Sequence, residues 1–254
     1  MTEQILRAPC GEKTVLCWNC ALRDLPIFKP LSEDEIGKIN DIKQEDRHMP
    51  SGATIIAPGE RNPCLYTLYR GWAFRYRILS DDRRQILHFI LPGDLIGLQS
   101  AMFEAAQYGV ESLTPVHLCV LPRRGVWRLF TETPQLAFDV TWLGSREEAL
   151  VDEGLLSVGR RTADERVAAL LISLFKRARA LGLVENDEFE LPITQQHIAD
   201  ALGLSLVHTN KTLARLRRVG MFARNGSRMR MLNLKALERL SEYVDQDLSP
   251  RPLI

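Results

Sequence analysis

The 254-residue chain has no run of eighteen consecutive apolar residues, so none of its segments reads as a transmembrane helix. Its N-terminus lacks an apolar core leading to a small-residue cleavage site, which argues against export and for a cytoplasmic protein with no membrane partner. Cysteine is scarce. Cys10, Cys17, Cys20, Cys64 and Cys119 are an odd number in a long chain, so they read better as reduced thiols or metal ligands than as a disulfide framework. Internal repeats and low-complexity tracts are absent. No Ser-His-Asp set, phosphate loop or paired-acid constellation can be located with specificity, so no catalysis is expected. His48, His88, His117, His197 and His208 are scattered without metal-ligand spacing.

What is present is ordinary in amount and uneven in placement. Hydrophobic residues make up 45% and charged residues 26%, as in globular chains generally. The net charge of +1 conceals a local bias. From Thr194 to Leu232, Lys211, Arg215, Arg217, Arg218, Arg224, Arg228 and Arg230 face a single acid, Asp200, a local balance of +6. A basic cluster of this kind is the electrostatic footprint of a polyanion binder.

Four segments differ in texture. Residues 1–25 form a short cysteine-bearing piece. Residues 26–132 read as many short strands: Thr54–Ile56, Leu65–Tyr69, Ala73–Ile78, Gln85–Phe89 and Val116–Leu121. Turn signals separate them at Pro50-Ser51-Gly52, Pro58-Gly59, Ser80-Asp81-Asp82 and Pro92-Gly93-Asp94, a spacing that favours a β-barrel or jelly roll. Ser32 to Glu35, ahead of Ile36, Ile39 and Ile42, predicts a capped helix before the barrel. Residues 133–160 carry helical periodicity from Pro134 to Val158, with Gly144, Gly154 and Gly159 as weak points. Their apolar residues exceed one narrow stripe, which suits a helix packed on its own barrel and on a two-fold partner, or a purely intrachain core helix. Residues 161–254 begin with a helix over Ala163–Leu181, stopped by Gly182.

Thr194-Gln195-Gln196 caps a short helix with Ile198, Ala199 and Leu202 inward, and Gly203 ends it. Leu204-Ser205 leads into a second helix from about Leu206 to Val219, the spacing of a helix-turn-helix. There Leu206, Leu213 and Leu216 fall at core spacing, while Val207, His208, Asn210, Lys211 and Arg215 point outward. Base edges then fall to Val207, His208, Asn210 and Lys211, near Thr194, Gln195 and Ser205, and phosphates to Arg215, Arg217 and Arg218. Phe222 to Leu232 reads as a hairpin turning at Asn225-Gly226, with Arg224, Arg228 and Arg230 along the flanking phosphates as a wing.

The chain resembles the CRP/FNR family of bacterial transcription factors over nearly all of residues 26–240. The likeness is carried by Leu91-Pro92-Gly93-Asp94-Leu95-Ile96-Gly97, by Ala163-Asp164-Glu165-Arg166-Val167-Ala168, and by Gln196 to Ser205. The resemblance implies an α+β fold: a cyclic-nucleotide-binding-type jelly roll, a long dimerisation helix and a C-terminal winged helix-turn-helix. It also implies double-stranded DNA as partner, a homodimer on a pseudo-palindrome, and RNA polymerase as a further partner. The reading head departs from the family pattern. Val207 stands where a Glu is usual, Asn210 where a Ser is, and Lys211 where an Arg is. Val cannot accept a hydrogen bond from cytosine, and Lys cannot grip guanine in the bidentate way of Arg.

The resemblance offers two inputs. The cyclic-nucleotide branch holds its phosphate with an Arg-Ser pair, but here no Arg lies between Arg84 and Arg123, so no cyclic nucleotide is expected. The oxygen-sensing branch holds a 4Fe-4S cluster on four thiolates. Cys17-Trp18-Asn19-Cys20 resembles its CxxC, Cys119-Val120-Leu121-Pro122 its distant ligand, and Cys10 supplies a fourth thiol. Here the third cysteine precedes the CxxC rather than following it. A redox dithiol, half of a zinc site, and a buried Cys119 with no metal stay open, as does a CxxC redox enzyme. Cys64 reads as an ordinary barrel thiol.

Overall fold

The computed structural model describes residues 14–62, 64–103, 105–242 and 250–254; Cys10 lies outside them. Two 3₁₀ turns, Cys17–Asn19 and Ala21–Asp24, precede α1 (Glu33–Ile42). The helix starts where Ser32 Oγ accepts from Glu35 N–H and the Glu35 carboxylate accepts from Ser32 N–H, a reciprocal cap.

The barrel strands follow: β1 (Glu45–Met49), β2 (Thr54–Ile56), β3 (Cys64–Arg70), β4 (Ala73–Ile78), β5 (Arg84–Ile90) and β6 (Leu95–Ile96). Then come a short α2 (Leu98–Met102), β7 (Gly109–Ser112) and β8 (Val116–Pro122). They form two antiparallel sheets, ordered β1-β8-β3-β6 and β2-β7-β4-β5. Ile56, Tyr66, Leu68, Ala73, Ile90, Val110, Leu118 and Val120 are buried by the strands' alternation, the inner faces of a jelly roll. The five anticipated strands are present. β1 was not anticipated, because Glu45-Asp46-Arg47-His48 shows no apolar alternation.

A ten-residue α3 (Arg123–Glu132) leads to the long α4 (Pro134–Arg160). None of the three glycines breaks α4, and two of them face neighbours. A Cβ at Gly144 would meet Leu98 at 3.0 Å, and one at Gly154 would meet the Leu87 carbonyl at 3.6 Å. The first half of α4 buries Leu136, Val140 and Leu143 on the barrel, while Leu155 is 71% exposed and Leu156 49%.

Arg161-Thr162 turns the chain into α5 (Ala163–Ala180), capped reciprocally by Thr162 and Glu165. A hairpin absent from the sequence reading follows, β9 (Val184–Glu185) and β10 (Glu188–Glu190). Its turn residues Asn186 and Asp187 sit at φ 50° and 59°, the left-handed pair of a type I′ turn. Next come α6 (Gln195–Leu202), α7 (Leu206–Arg218), β11 (Phe222–Asn225), β12 (Arg228–Met231) and α8 (Leu234–Ser241). The third sheet is ordered β11-β12-β10-β9, so the wing is the outer hairpin of a four-stranded sheet. Asn225 pairs with Arg228. The turn is therefore Gly226-Ser227, one residue later than expected, with Gly226 at φ 60°. No helix among the described residues is long and apolar enough to cross a membrane.

Candidate functional site

α6 and α7 are set by their ends. Thr194 Oγ1 accepts from His197 N–H at 3.1 Å, Gly203 closes α6 at φ 62°, and Ser205 Oγ accepts from His208 N–H at 3.2 Å. The hydroxyls of Thr194 and Ser205, two candidate DNA contacts, are thus helix caps worth about 1 kcal/mol each, though both residues remain exposed beside Gln195. The buried face of α7 is Thr209, Thr212, Leu213 and Leu216. Leu206, expected in the core, is 41% exposed; the two threonines supply the spacing it was assigned to.

The outer face carries Val207, His208 and Lys211, all exposed, with Arg215, Arg217 and Arg218 along the same helix. Asn210 is half-buried, and its Oδ1 has no partner among the described residues. It lines a recess with Gln195, Ala214, Arg217, Phe222 and Arg224 between the two helices and the wing.

The basic residues are less free than the count of +6 implied. Arg228 and Arg230 both reach Glu188 on β10, at 3.0 and 2.7 Å, and Arg215 pairs with Asp164. Arg224 turns inward and donates to the Ile193 carbonyl at 2.7 Å and the Gly226 carbonyl at 3.0 Å; burial lowers its pKa. It therefore braces the wing rather than lying along phosphates. Lys211, Arg217 and Arg218 pair with no carboxylate among the described residues. Asp200, the acid of the basic run, is turned to the barrel, where Arg84 Nε donates to it at 3.0 Å. Gln85 Nε2 donates to the Ala201 carbonyl, also at 3.0 Å, so α6 is docked on β5. The exposed pairs on Glu188 are weak and exchangeable for phosphate contacts.

The barrel interior does hold a guanidinium, on a strand ahead of the arginine-free stretch between Arg84 and Arg123. Arg75 on β4 lies 3.9 Å from the Tyr108 ring centroid. It donates to Glu147 of α4 at 2.5 Å and approaches Gln99 at 3.4 Å. His88 Nε2 lies 3.2 Å from the same Glu147 oxygen.

Three of the four proposed metal ligands lie in one layer. Strand register sets Cys119 beside Asp46 on one side and Thr67 on the other. Cys17 is buried in the first 3₁₀ turn, and Cys17, Cys20 and Cys119 lie close enough for each thiolate to oppose ionisation of Cys119. Burial drives the Cys119 thiol up to about 12 against the pull of Lys43, and raises Cys17 too. Among the described residues no three His, Cys, Asp or Glu side chains are placed to hold a metal ion. Cys64 lies away from this layer, opposite Pro122 at the far end of β8.

The layer is organised by a residue that the sequence reading did not single out. Asp46, buried, accepts from Thr14 N–H at 2.6 Å, Val15 N–H at 3.0 Å, His117 Nε2 at 2.7 Å and Lys43 Nζ at 2.8 Å. Lys43 is itself buried and also donates to the Val15 carbonyl. Burial alone would raise the Asp46 carboxyl, but these donors hold it at about 2. A charged Asp-Lys pair thus clamps the cysteine-bearing segment to the barrel. Its only sequence signal was a charged stretch with no helical or strand periodicity.

A jelly roll, a long connecting helix and a helix-turn-helix with a wing together define a DNA-binding transcription regulator. The comparisons give the same class. Residues 46–133 match the model of the cyclic nucleotide-binding domain, and residues 165–240 that of the Crp-like helix-turn-helix domain. The chain is 31% identical to the transcriptional activatory protein AadR of Rhodopseudomonas palustris, over 88% of this chain and 92% of that one. It is 30% identical to the nitrogen fixation regulation protein FixK of Bradyrhizobium diazoefficiens, over 82% and 86%. Among solved structures, FixK2 from Bradyrhizobium japonicum superposes with a TM-score of 0.72 at 26% identity, covering 78% of this chain and 98% of that chain. The chain belongs to the CRP/FNR family of transcription regulators.

Proposed function

We propose that this regulator reads double-stranded DNA as a two-fold homodimer, with α7 in the major groove, and takes its input from the cysteine layer. The observation that carries the DNA reading is the outer face of α7, where Val207, His208 and Lys211 stand exposed while α6 is held to the barrel by Asp200 and Arg84. Asn210 and Lys211 read base edges; Arg217 and Arg218 neutralise phosphates, joined by Arg215 and Arg228 when DNA displaces Asp164 and Glu188. The apolar Leu155 and Leu156 on the open half of α4 support pairing with a second copy. RNA polymerase is the partner through which such a dimer acts on transcription. The domains proposed are 1–25, 26–132, 133–160 and 161–254.

The input fits an iron–sulfur cluster in kind. The layer offers soft thiol donors from Cys17, Cys20 and Cys119, with Lys43 near Cys17 and Cys119 to offset negative charge; the fourth thiol of this reading is Cys10, by sequence, outside the described residues. The thiols must deprotonate to ligate, and Lys43 lowers that cost for Cys17 and Cys119. A cluster would supply oxygen or redox sensitivity. Thr14 and Val15 are tied to Asp46 of β1 and Cys17 N–H to Asn40 of α1, so a change in the cysteine turn bears on the barrel and on the helix before it. A second reading, thiol oxidation without metal, uses the same three cysteines. The interior Arg75 is already paired with Glu147, which supports an input other than a cyclic nucleotide.

One experiment tests both halves: selection of bound duplexes from a random pool, run with anaerobically and aerobically purified protein, alongside iron, sulfide and visible-absorption measurements. A selected palindrome, with iron and sulfide present only in the anaerobic protein, supports the reading. Absence of any selected sequence overturns the DNA half. A colourless, metal-free anaerobic protein with full DNA affinity overturns the cluster half.

A further inference from the structure

Residues 250–254, which follow α8 in sequence, lie on the sensor barrel rather than on the DNA-binding unit. The backbone of Arg251 bridges the chain at Phe28. Its N–H donates to the Ile27 carbonyl at 2.7 Å and its carbonyl accepts from Lys29 N–H at 2.9 Å. Leu253 is 2% exposed and Ile254 5%. Ile254 packs in the cluster that holds Cys17, Ile39, Ile42, Leu121 and Val126, and its carbonyl accepts from the buried Thr67 hydroxyl. Arg23 ties this end to the cysteine turn. Its Nε donates to the Cys17 carbonyl at 3.2 Å and its Nη1 to the Leu253 carbonyl at 3.4 Å.

The other end of the same short segment reaches a different part of the molecule. Arg251, 4% exposed, donates through Nη1 to Asp94 and through Nη2 to the Pro92 carbonyl, with its guanidinium over the Phe28 ring. Asp94 is a buried junction. Arg146 of α4 reaches its Oδ1 at 3.1 Å, Arg177 of α5 its Oδ2 at 2.7 Å, and Leu91 N–H its Oδ2 at 2.8 Å. One carboxylate thus joins the barrel, the long helix, the first helix of the DNA-binding unit and the segment after α8. α8 in turn is fastened to α5 by Lys176 and Glu238 at 2.7 Å.

We propose that Arg251–Ile254 is a strap that couples the cysteine layer to the placement of the DNA-binding unit. At one end it shares packing with Cys17; at the other it competes with Arg146 and Arg177 for Asp94. A shift of the cysteine turn moves Arg23 and loosens Leu253 and Ile254. Arg251 then leaves Asp94 to the arginines of α4 and α5, and the hold of the barrel on both helices changes. Three guanidiniums on one carboxylate make this exchange possible, because Asp94 keeps two charged donors when the third withdraws. Such a coupling is reciprocal: what frees the strap must also expose the cysteine turn. The inference takes its regulatory meaning from α6 and α7 as the DNA-contacting unit, but it requires no bound cluster.

The test uses the full chain, reduced and stripped of metal by a chelator, in four forms: unaltered, Arg251→Gln, Arg23→Gln, and lacking residues 250–254. Iodoacetamide labelling of Cys17, followed by mass spectrometry of its peptide, reads one end. Amide exchange around Arg177 in α5 and through α6 and α7 reads the other. With Arg251→Gln we expect Cys17 to label about tenfold faster and exchange near Arg177 to change severalfold, as for a local opening. Labelling Cys17 of the unaltered chain should reproduce the change at α5, and the deletion should abolish that response. Labelling and α5 exchange within twofold of the unaltered chain in both single variants would overturn the strap. Should the deletion fail to fold, as judged by circular dichroism, the single variants decide, since each leaves Asp94 with at least two arginines. Failure of the unaltered chain to bind any duplex would count against the DNA reading and leave these measurements intact.

Discussion

The two working regions of this protein are built in opposite ways. The helix-turn-helix is assembled from neighbours in sequence: Thr194 caps against His197, Gly203 turns the chain, and Ser205 caps against His208. Its chemistry faces outward. The cysteine layer is assembled from parts far apart in sequence: the Cys17 turn, Lys43 and Asp46 at the entry to β1, and His117 and Cys119 on β8. Its chemistry faces inward, where an unpaired charge is costly. The difference teaches that an exposed face tolerates loose, exchangeable ion pairs, whereas a buried layer needs its charges matched one by one.

The comparison is broken most severely at Asp46. Asp46→Asn leaves the buried Lys43 ammonium without its counter-charge, and a loss of about 3–5 kcal/mol in urea unfolding is expected. Residues 14–17 should come free, seen as faster labelling of Cys17. Loss of under about 1 kcal/mol would mean that the clamp is not the organising element, since surface changes rarely exceed that.

The reading head gives the next largest effect. Lys211→Ala should reduce discrimination between the selected palindrome and random DNA by the equivalent of about 1–3 kcal/mol. Arg217→Ala should weaken both equally and lower the salt slope by about one. Equal loss on both DNAs for Lys211→Ala would remove it from the reading face.

A pH titration sharpens the contrast further. Burial outweighs the neighbouring Asp46 and holds His117 below the usual histidine value. The folded chain therefore binds fewer protons there than the unfolded chain, and stability falls as pH drops below about 6.5. Asp46, held at about 2, contributes stability above the unfolded carboxyl value near 4, lost as pH falls toward 2. With rates corrected for the intrinsic pH dependence of amide exchange, protection of Thr14 and Val15 should fall over both windows, with His117→Asn removing the first. The Ser205 cap of α7 should keep its protection between pH 7 and about 5, whereas the α6 cap includes the His197 ring, which accepts from Thr194 N–H, and is no control. Protection at Thr14 and Val15 that is flat over that range would count against the His117 assignment.

The smallest effect is expected at the wing. Glu188→Gln frees Arg228 and Arg230 and should change stability by less than about 0.5 kcal/mol, because the pairs are exposed. Non-specific DNA binding should tighten modestly with a steeper salt dependence. A large loss of stability would show that Glu188 holds the β10–β12 pair together.

Local signals made the DNA-binding end readable in advance. Caps, a glycine stop and a turn dipeptide act within four residues, so the boundaries of α6 and α7 and the wing were predicted to within a residue or two. The same local logic named the barrel turns at Gly52, Gly59 and Gly93, all of which take positive φ. It missed β1 because a strand whose buried residues are Glu45 and Asp46 has no apolar alternation. It placed Leu206 in the core and left out Thr209 and Thr212, because burial of a threonine is decided by what packs against it. The charge count for residues 194–232 was also local, and so omitted Asp164 and Glu188, which lie outside that stretch yet neutralise part of the same face.

The order of elements, the helix-turn-helix and the identity of the available thiols are therefore properties of the sequence, since each follows from contacts within a few residues. Tertiary structure alone decided that Asp46 and Lys43 clamp the cysteine turn, that Arg75 fills the barrel with a paired charge, and that Asp94 collects Arg146, Arg177 and Arg251. The physical reason is the same in each case. A buried charge must be satisfied by whatever the fold brings to it: Lys43 and Asp46 are near neighbours, but Val15 lies 31 residues from Asp46 and the partners of Arg75 and Arg251 72 and 157 residues from them, which no local pattern records.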